Sequence, residues 1–518
     1  MRTIVAIAIS IFILFPMGSE LDAIWHKPQT YNVIEYGAVP DGKTLNTSFI
    51  QEAINVAHKN GGGKVILSEG KYLSGSIVLK SGVTIYLEKG ATLLGSTNPA
   101  HYKEINNWGA LILAENATDI GIAGIGTIDG QGRALALNVD SLHHTGAMID
   151  ENYNYRRMRP NELRRPELIR MIGCNRIDIE GVTLLNASSW VQTYEQCAYL
   201  KIYRVKIESR AYWNNDGIDI VDCHHVRITH CDVNAADDGI CIKSHTSDQI
   251  NDQIYIAHCT IRSSASAVKF GTASHGGFKN IIIEDIMVFD TFRSAIAIES
   301  VDGGLIDSIS ISDITAINTA NAIFIRLGHR SGDQPGIVRN ITIKNMVVQV
   351  PFGRPDLEYD MRGPEVDFFH NPFPSSIVGI PGHFVENVVL ENILIIYPGR
   401  ASKGMAYVPI HRLDQVPEEV ERYPEFSMFG ELPAWGIYVR HARGIKMKNI
   451  KLVLESRDFR PAFVFDDVKG MHLELLDLPV ELDHQVIFKG VTDVDLDDQV
   501  TEQLVEVDVD TGEVRDLR

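Results

Sequence analysis

Ile177-Asp178-Ile179-Glu180-Gly181-Val182-Thr183-Leu184 sets an apolar pattern, two residues and then two more, that the chain repeats. It returns as Leu200-Lys-Ile202 with Val205-Lys-Ile207, and as Val226-Arg-Ile228 with Cys231-Asp-Val233. Further copies begin at Ile254, Ile281, Ile309, Ile341, Val388 and Ile445, with a weaker one at Ile120. The early copies lie 23, 26, 28, 27 and 28 residues apart. Alternation of period two in β-branched residues specifies strands, and a fixed period of this length specifies stacked coils. Between the copies no amphipathic helix is expected, which disfavours alternating βα units. The predicted fold is all-β: a single-stranded right-handed parallel β-helix, with long loop insertions in its C-terminal half. Equivalent positions of successive coils then stack about 4.8 Å apart, in columns along the solenoid.

Columns bring together residues that are distant in sequence. Asn214-Asn215-Asp216 continues as Gly217-Ile218-Asp219-Ile220, and Ala236-Asp237-Asp238 continues as Gly239-Ile240-Cys241-Ile242. Asp216 and Asp238 precede equivalent glycines and so share a column, with Asp237 beside it. Clustered carboxylates split their pKa values and offer an acid and a base together, which suits cleavage of a glycosidic bond. As turn residues, the same aspartates would instead hold backbone amides, a role that also suits Asn214 and Asn215. Cys174, Cys197 and Cys223 precede the pattern identically and should stack as a buried ladder, with Cys231 and Cys259 at inward apolar positions. His224, His225, His230 and His258 lie nearby, but no zinc-motif spacing accompanies them. No metal or other cofactor is expected, nor is a disulfide framework.

The chain has 518 residues, 45% hydrophobic, and a net charge of -19. Its charge and the lack of a basic run or stripe argue against a nucleic-acid partner. A polyanionic sugar polymer would need local cations to hold it. Residues 1–20 pair an early arginine with a short apolar run and small residues, predicting a signal peptide and export to the periplasm or outside the cell. An N-terminal membrane anchor is the alternative, and no later segment is long and apolar enough to span a bilayer. The expected organisation is signal peptide 1–20, β-helix 25–490 and acidic tail 491–518.

On these residues the chain resembles glycoside hydrolase family 28, the polygalacturonases, with their pectin-lyase-like solenoid. Tyr36-Gly-Ala-Val-Pro-Asp-Gly42, Gly61-Gly-Gly-Lys-Val and Gly126-Thr-Ile-Asp-Gly-Gln-Gly132 are similar to its opening coils. Asn214-Asn-Asp-Gly-Ile-Asp219 and Ala236-Asp-Asp-Gly-Ile-Cys-Ile-Lys-Ser244 are similar to its catalytic segments. The resemblance implies a pectic substrate, Asp237 as general acid, Asp216 and Asp238 as activators of water, and inversion. It also implies Asn214 and Lys243 as substrate ligands.

Departures from the family pattern redirect the substrate expectation. Ser266 replaces the family's histidine, and Ala297 and Glu299 replace the arginine and lysine that grip a uronate. Lys269 and Arg326 bracket that lost pair in the same columns and are predicted to bind the carboxylate, with His275 as a stand-in for the histidine. Later copies are spaced 32, 47 and 57 residues apart. Inserted loops therefore fall near 351–385 and 400–435, the latter with Tyr407, His411, Arg412 and Trp435, and should wall off one end of the groove. The expected activity is exo-cleavage of α-galacturonosyl linkages in rhamnogalacturonan or decorated pectin. The alternatives are an exo-polygalacturonase on unbranched polygalacturonan and a non-catalytic glycan-binding β-helix. A lyase of the same fold is less favoured, because β-elimination wants calcium and a basic residue.

Overall fold

A computed structural model describes residues 29–357, 359, 371–402, 404, 408–479, 485–501, 504–507 and 514–516. The proposed signal peptide and Tyr407 lie outside the described residues, as do parts of the first inserted loop and of the acidic tail.

The repeat folds into stacked coils whose strands pair in parallel with the next coil. Ile177 pairs with Leu200, Leu200 with Val226, Val226 with Ile254, and Ile254 with Ile281. Each coil has three faces. The face that carries the aspartates runs through Glu167–Ile172, Gln192–Glu195, Ile218–Val221, Ile240–Ser244 and Val268–Ser274. Beyond Gly277 the strands continue round the corners, so that Gly277–Ser300 and Leu305–Leu327 each cover most of a coil.

The two positions around which the apolar pairs break are corners. The residue before the first pair takes a left-handed backbone in coil after coil: Arg176 (φ 54°), His225 (φ 57°), Asn280 (φ 53°) and Asn340 (φ 57°). The residue before the second pair does the same at Gly181 (φ 77°), His230 (φ 59°), His258 (φ 55°), Asp313 (φ 58°) and Asn392 (φ 57°). Asn, Asp and His tolerate that region best among residues with a side chain. His225, His230 and His258 are therefore exposed corner residues; the rings of His230 and His258 sit 4.8 Å apart. The cysteines lie inside as six buried free thiols, with the Cys197 N–H donating to Cys223 Sγ at 3.3 Å.

Inward side chains from all three faces form one continuous core. Helix α1 (Thr47–Lys59) lays Ile50, Ala53, Ile54 and Ala57 against its first coil. Contrary to expectation, a second helix, α2 (Gly132–His144), stands between the copies at Ile120 and Ile177, burying Leu135, Ala136 and Val139. Its sequence lies in an insertion, where the coil period gives no guidance.

The expected boundary at 491 also needs correction. Strand Val486–Leu496 crosses it and pairs with Phe463–Asp477, Leu504–Val507 pairs with that strand in parallel, and Val514–Asp516 closes the series antiparallel. The acidic side chains of 493–497 alternate with Val494 and Leu496, so a strand forms despite the charge.

Candidate active site

Asp216, Asp237 and Asp238 occupy the turns that enter the first face, and the turns can stack because of their glycines. The Gly217 N–H donates to the Asp238 carbonyl at 2.9 Å, and the Gly239 N–H to the Ser266 carbonyl at 2.8 Å. A Cβ on Gly217 would lie 2.5 Å from the Gly239 carbonyl oxygen, and one on Gly239 would lie 2.7 Å from that of Ala267. Only glycine permits this approach. Asn215 locks the first turn: its Oδ1 accepts from Ala211 and Tyr212 N–H, and its Nδ2 donates to the carbonyls of Ala187 and Ser189. Asn214 (φ 57°) is fixed by Arg165, whose Nη2 donates to its Oδ1 at 2.7 Å. Both asparagines thus serve the turn, and the Oδ1 of Asn214, expected to meet substrate, accepts from Arg165.

The carboxylates are distinguished by their neighbours. Asp216 and Asp238 are both 4% exposed, and carboxylate oxygens of the two approach within 4.8 Å of each other. Burial opposes ionisation of Asp238, but Lys269, then Arg293 and Lys243, outweigh it and hold the carboxyl below its ordinary range. Lys269 Nζ lies 3.1 Å from Asp238 Oδ2, and the Ser266 N–H donates to Asp238 Oδ1 at 3.0 Å. The residue that replaces the family's histidine thus serves Asp238 through its backbone. Asp237 behaves oppositely. Burial, together with the charges of Asp216 and Asp238, pushes its carboxyl up to about 7. Burial also raises Asp216, with Asp238 adding to the effect and Lys243 opposing it.

Lys243 donates to Asp216 at 2.9 Å and to Asp219, and its ammonium lies 4.1 Å from the centre of the Trp190 ring. Burial works against its charge, yet Asp216 and Asp219 hold it protonated. Trp190 stacks on Trp108 at 4.8 Å, and Arg170 lies over Trp108 between Glu167 and Glu195. Both tryptophans are partly exposed and extend the groove toward the N-terminal coils. Cys241 reaches the cluster as well. Its thiol donates to the Gly271 carbonyl at 3.0 Å and burial raises its pKa, so Asp216, Asp238 and Cys241 make a poor donor set for a cation already displaced by two lysines.

The expected bracketing cations part company. Lys269 reaches the aspartates, and its Nζ also lies 3.8 Å from Glu299 and 3.1 Å from Tyr423 Oη. Arg326 does not. It stacks beside Glu299 in register, but its guanidinium turns to the carbonyls of Gly379, Glu418 and Glu419 at 2.9, 2.8 and 3.0 Å. It anchors the second inserted loop, whose carbonyls satisfy a fully buried guanidinium better than one distant carboxylate could. His275 is partly exposed in its turn, its N–H donating to the Ser244 carbonyl at 3.1 Å. Among the described residues no hydrogen bond or ion pair joins its ring to the aspartates.

The inserted loops pack over the coils on the C-terminal side of the aspartates. Phe373, Leu413, Val416, Phe426, Met428, Phe429 and Leu432 form a second apolar core over the outward side chains Ala297, Phe324, Val378 and Tyr438. Ala297, at the position where the resemblance expects an arginine, is covered by these loop side chains. Tyr423 and Glu425, from the same loop, reach Lys269 and Arg293, with Glu425 Oε2 3.3 Å from Arg293 Nη2. Glu299 is buried beneath them and pushed up to about 7 by burial, with Lys269 opposing. Sequence reasoning missed Arg293, Tyr423, Glu425 and Trp108. Arg293 was within reach of it, since the registers Ile240–Val268 and Val268–Ile296 place it two coils beyond Asp237 in one column.

Comparison with known proteins gives the family and the fold. The family model "Glycosyl hydrolases family 28" matches residues 63–351. The chain belongs to that family. Among its relatives, a protein of Vitis vinifera named "Probable polygalacturonase" is 27% identical over 352 residues, covering 64% of this chain and 63% of the relative. An "Endo-polygalacturonase" of Pectobacterium carotovorum subsp. carotovorum is 26% identical over 296 residues, 54% of this chain and 71% of the relative. The chain thus spans under two thirds of the grape protein's length. The family fold extends to solved structures. The exopolygalacturonase of Thermotoga maritima is 18% identical with a TM-score of 0.60, covering 83% of this chain and 93% of that one. The family 28 exopolygalacturonase of Yersinia enterocolitica is 17% identical with a TM-score of 0.61, covering 91% and 79%. Among the described residues no helix is long and apolar enough to cross a membrane.

Proposed function

We propose that the protein is an inverting glycoside hydrolase that cleaves α-galacturonosyl linkages in pectic polysaccharide, acting from a chain end on rhamnogalacturonan or decorated pectin. The observation that carries this is the contrast between neighbouring aspartates, Asp237 pushed up to about 7 and Asp238 held ionised. Asp237 is then the general acid that protonates the leaving glycosidic oxygen. Asp216 and Asp238 hold a water on the opposite face of the sugar. As that water attacks the anomeric carbon and the glycosidic bond breaks, its proton passes to the ionised Asp238. Attack opposite the leaving group inverts the configuration. Lys269 keeps Asp238 charged and Lys243 holds Asp216 in place while opposing the effect of its burial, which lowers the reorganisation needed at reaction.

Chain-end action is supported by the loop core that covers Ala297 and Phe324 and by the entry of Tyr423 and Glu425. It is also in keeping with family relatives named exopolygalacturonase. Those names favour a second reading, in which the substrate is unbranched polygalacturonan. Chromatography of the products from polygalacturonan and from rhamnogalacturonan oligosaccharides tests both readings. Monomeric galacturonic acid from the rhamnose-containing chains alone supports the first, and release from polygalacturonan supports the second. Larger oligomers would refute chain-end action. Sugar release by an Asp237→Asn variant at the parent rate would refute the assignment of the acid.

A further inference from the structure

The cations around the aspartates are nearly all engaged. Lys243 is shared by Asp216 and Asp219, and Lys269 is set between Asp238 and Glu299. Arg293 pairs with Glu425, and Arg170 with Glu167 and Glu195. Arg165 is consumed by the carbonyls of Pro160, Ser188 and Trp213 and by Asn214. Apart from the Nε of Arg170 and of Arg293, which are buried, these groups are committed to acids or carbonyls and present little with which to recognise an acidic sugar.

Arg157 and Arg159 differ. Their guanidinium carbons lie 5.5 Å and 4.9 Å from the centre of the Trp213 ring. Among the described residues neither side chain has a carboxylate partner. Both are partly exposed. Trp213 stands three residues before Asp216 on the turn that Arg165 and Asn215 lock, so the stack is mounted on the catalytic turn itself. The arginines are presented by an ordered insertion: Asn154 and Arg159 form an antiparallel bridge, Asp150 accepts from Asn161 N–H at 2.6 Å, and Tyr153 stacks on His143 at 4.3 Å. Arg159 lies within electrostatic reach of Asp237, while burial and the like charge of Arg157 work against its own charge. In a chain of net charge -19, two neighbouring arginines that share one indole and, among the described residues, make no ion pair, Asp237 and Glu162 acting on Arg159 only through their charge, are suited to an anion.

We propose that Arg157 and Arg159, held on Trp213, bind the carboxylate of a uronic acid residue adjacent to the bond cleaved at Asp237. The guanidinium fork matches a carboxylate with two parallel hydrogen bonds. An indole face steadies a guanidinium by cation–π attraction without using its N–H donors. Uronate recognition, displaced from Ala297 and Glu299, has moved to the insertion on the other side of the aspartates. This proposal rests on the hydrolase reading for its substrate.

The test is calorimetric and needs no turnover. Asp237→Asn protein is titrated with trigalacturonic acid and with its methyl ester, in the parent background and with Arg157→Gln/Arg159→Gln added. The double substitution should weaken binding of the acid about tenfold or more, on the scale of losing charge-assisted hydrogen bonds, and leave ester binding within about twofold. Arg159→Lys, which keeps the charge without the fork, should fall between. Equal weakening of acid and ester, with unchanged melting temperature, would assign the arginines to shape alone and overturn the proposal. So would unaltered acid binding, or an Asp237→Asn protein that binds neither ligand. Failure of the hydrolase reading is separate: it would appear as no sugar released by the parent enzyme, whatever the acid-to-ester ratio.

Discussion

Lys269→Met removes an ammonium buried among groups that cannot do without it. Nζ lies 3.1 Å from Asp238, 3.8 Å from Glu299 and 3.1 Å from Tyr423 Oη. At an effective dielectric of about 20 the two carboxylate contacts are worth roughly 5 and 4 kcal/mol before desolvation of the ammonium is subtracted. Breaking a buried pair from one side costs about 3–5 kcal/mol net, since the partner charge is left behind. The penalty must depend on pH. In the parent, the lowered pKa of Asp238 contributes stability above the unfolded value near 3.9, lost as pH falls through the folded value. Without Lys269, the largest cause of that lowering, the pKa of Asp238 rises, with Arg293, Lys243 and the Ser266 N–H left to oppose burial. The stability that the lowered pKa supplied above the unfolded value shrinks, so the cost appears where Asp238 is ionised and fades as pH drops and the carboxyl is protonated. Glu299, already at about 7 with Lys269 opposing burial, moves further up and adds to the cost. Urea denaturation should therefore show most of the loss at pH 8 and much less at pH 5, with Asp238→Asn/Lys269→Met recovering part of it. An equal loss at both pH values would refute the charge argument and leave only a packing defect.

Three further outcomes are expected. Turnover should fall above about pH 7 as Asp237 gives up its proton, measured as sugar release against pH; a plateau to pH 9 would remove Asp237 as the acid. Tyr423→Phe loses the hydroxyl that Lys269 contacts at 3.1 Å; the KM of the shortest substrates should rise a few-fold, on the order of 1 kcal/mol, with a small change in melting temperature. Trp435→Ala empties a site 1% exposed beside Tyr397, and should cost about 3–5 kcal/mol in urea denaturation.

The solenoid was legible because its core is periodic. The inward pairs such as Ile177 and Ile179, Val226 and Ile228, repeat in every coil, and a one-residue slip would turn them outward. The stacking of Asp216 and Asp238 followed from the glycines after them. What escaped lay outside the period. Helix α2, Tyr423 and Glu425 are in insertions, where no column predicts position. Arg326 was placed correctly along its column, but a column says nothing of which way a long side chain leans, and the loop carbonyls drew it off. The acidic balance of the whole chain also obscured Arg156-Arg157-Met158-Arg159, a short basic run that a residue-by-residue count exposes. It corrects the expectation that no such run exists.

A stack of parallel strands has two raw rims, each a row of amide and carbonyl groups ready to accept another molecule's strand. Here helix α1 roofs the first coil, and at the other rim Val514–Asp516 runs antiparallel to Leu504–Val507. That reversal breaks the direction in which a second solenoid could add in register. A protein whose architecture is a template for its own extension is thus kept finite by a few residues of backwards chain. Cutting before Leu504 should bare the Val486–Leu496 rim and let two copies pair there, seen as a dimer in gel filtration, while the rim under α1 stays covered.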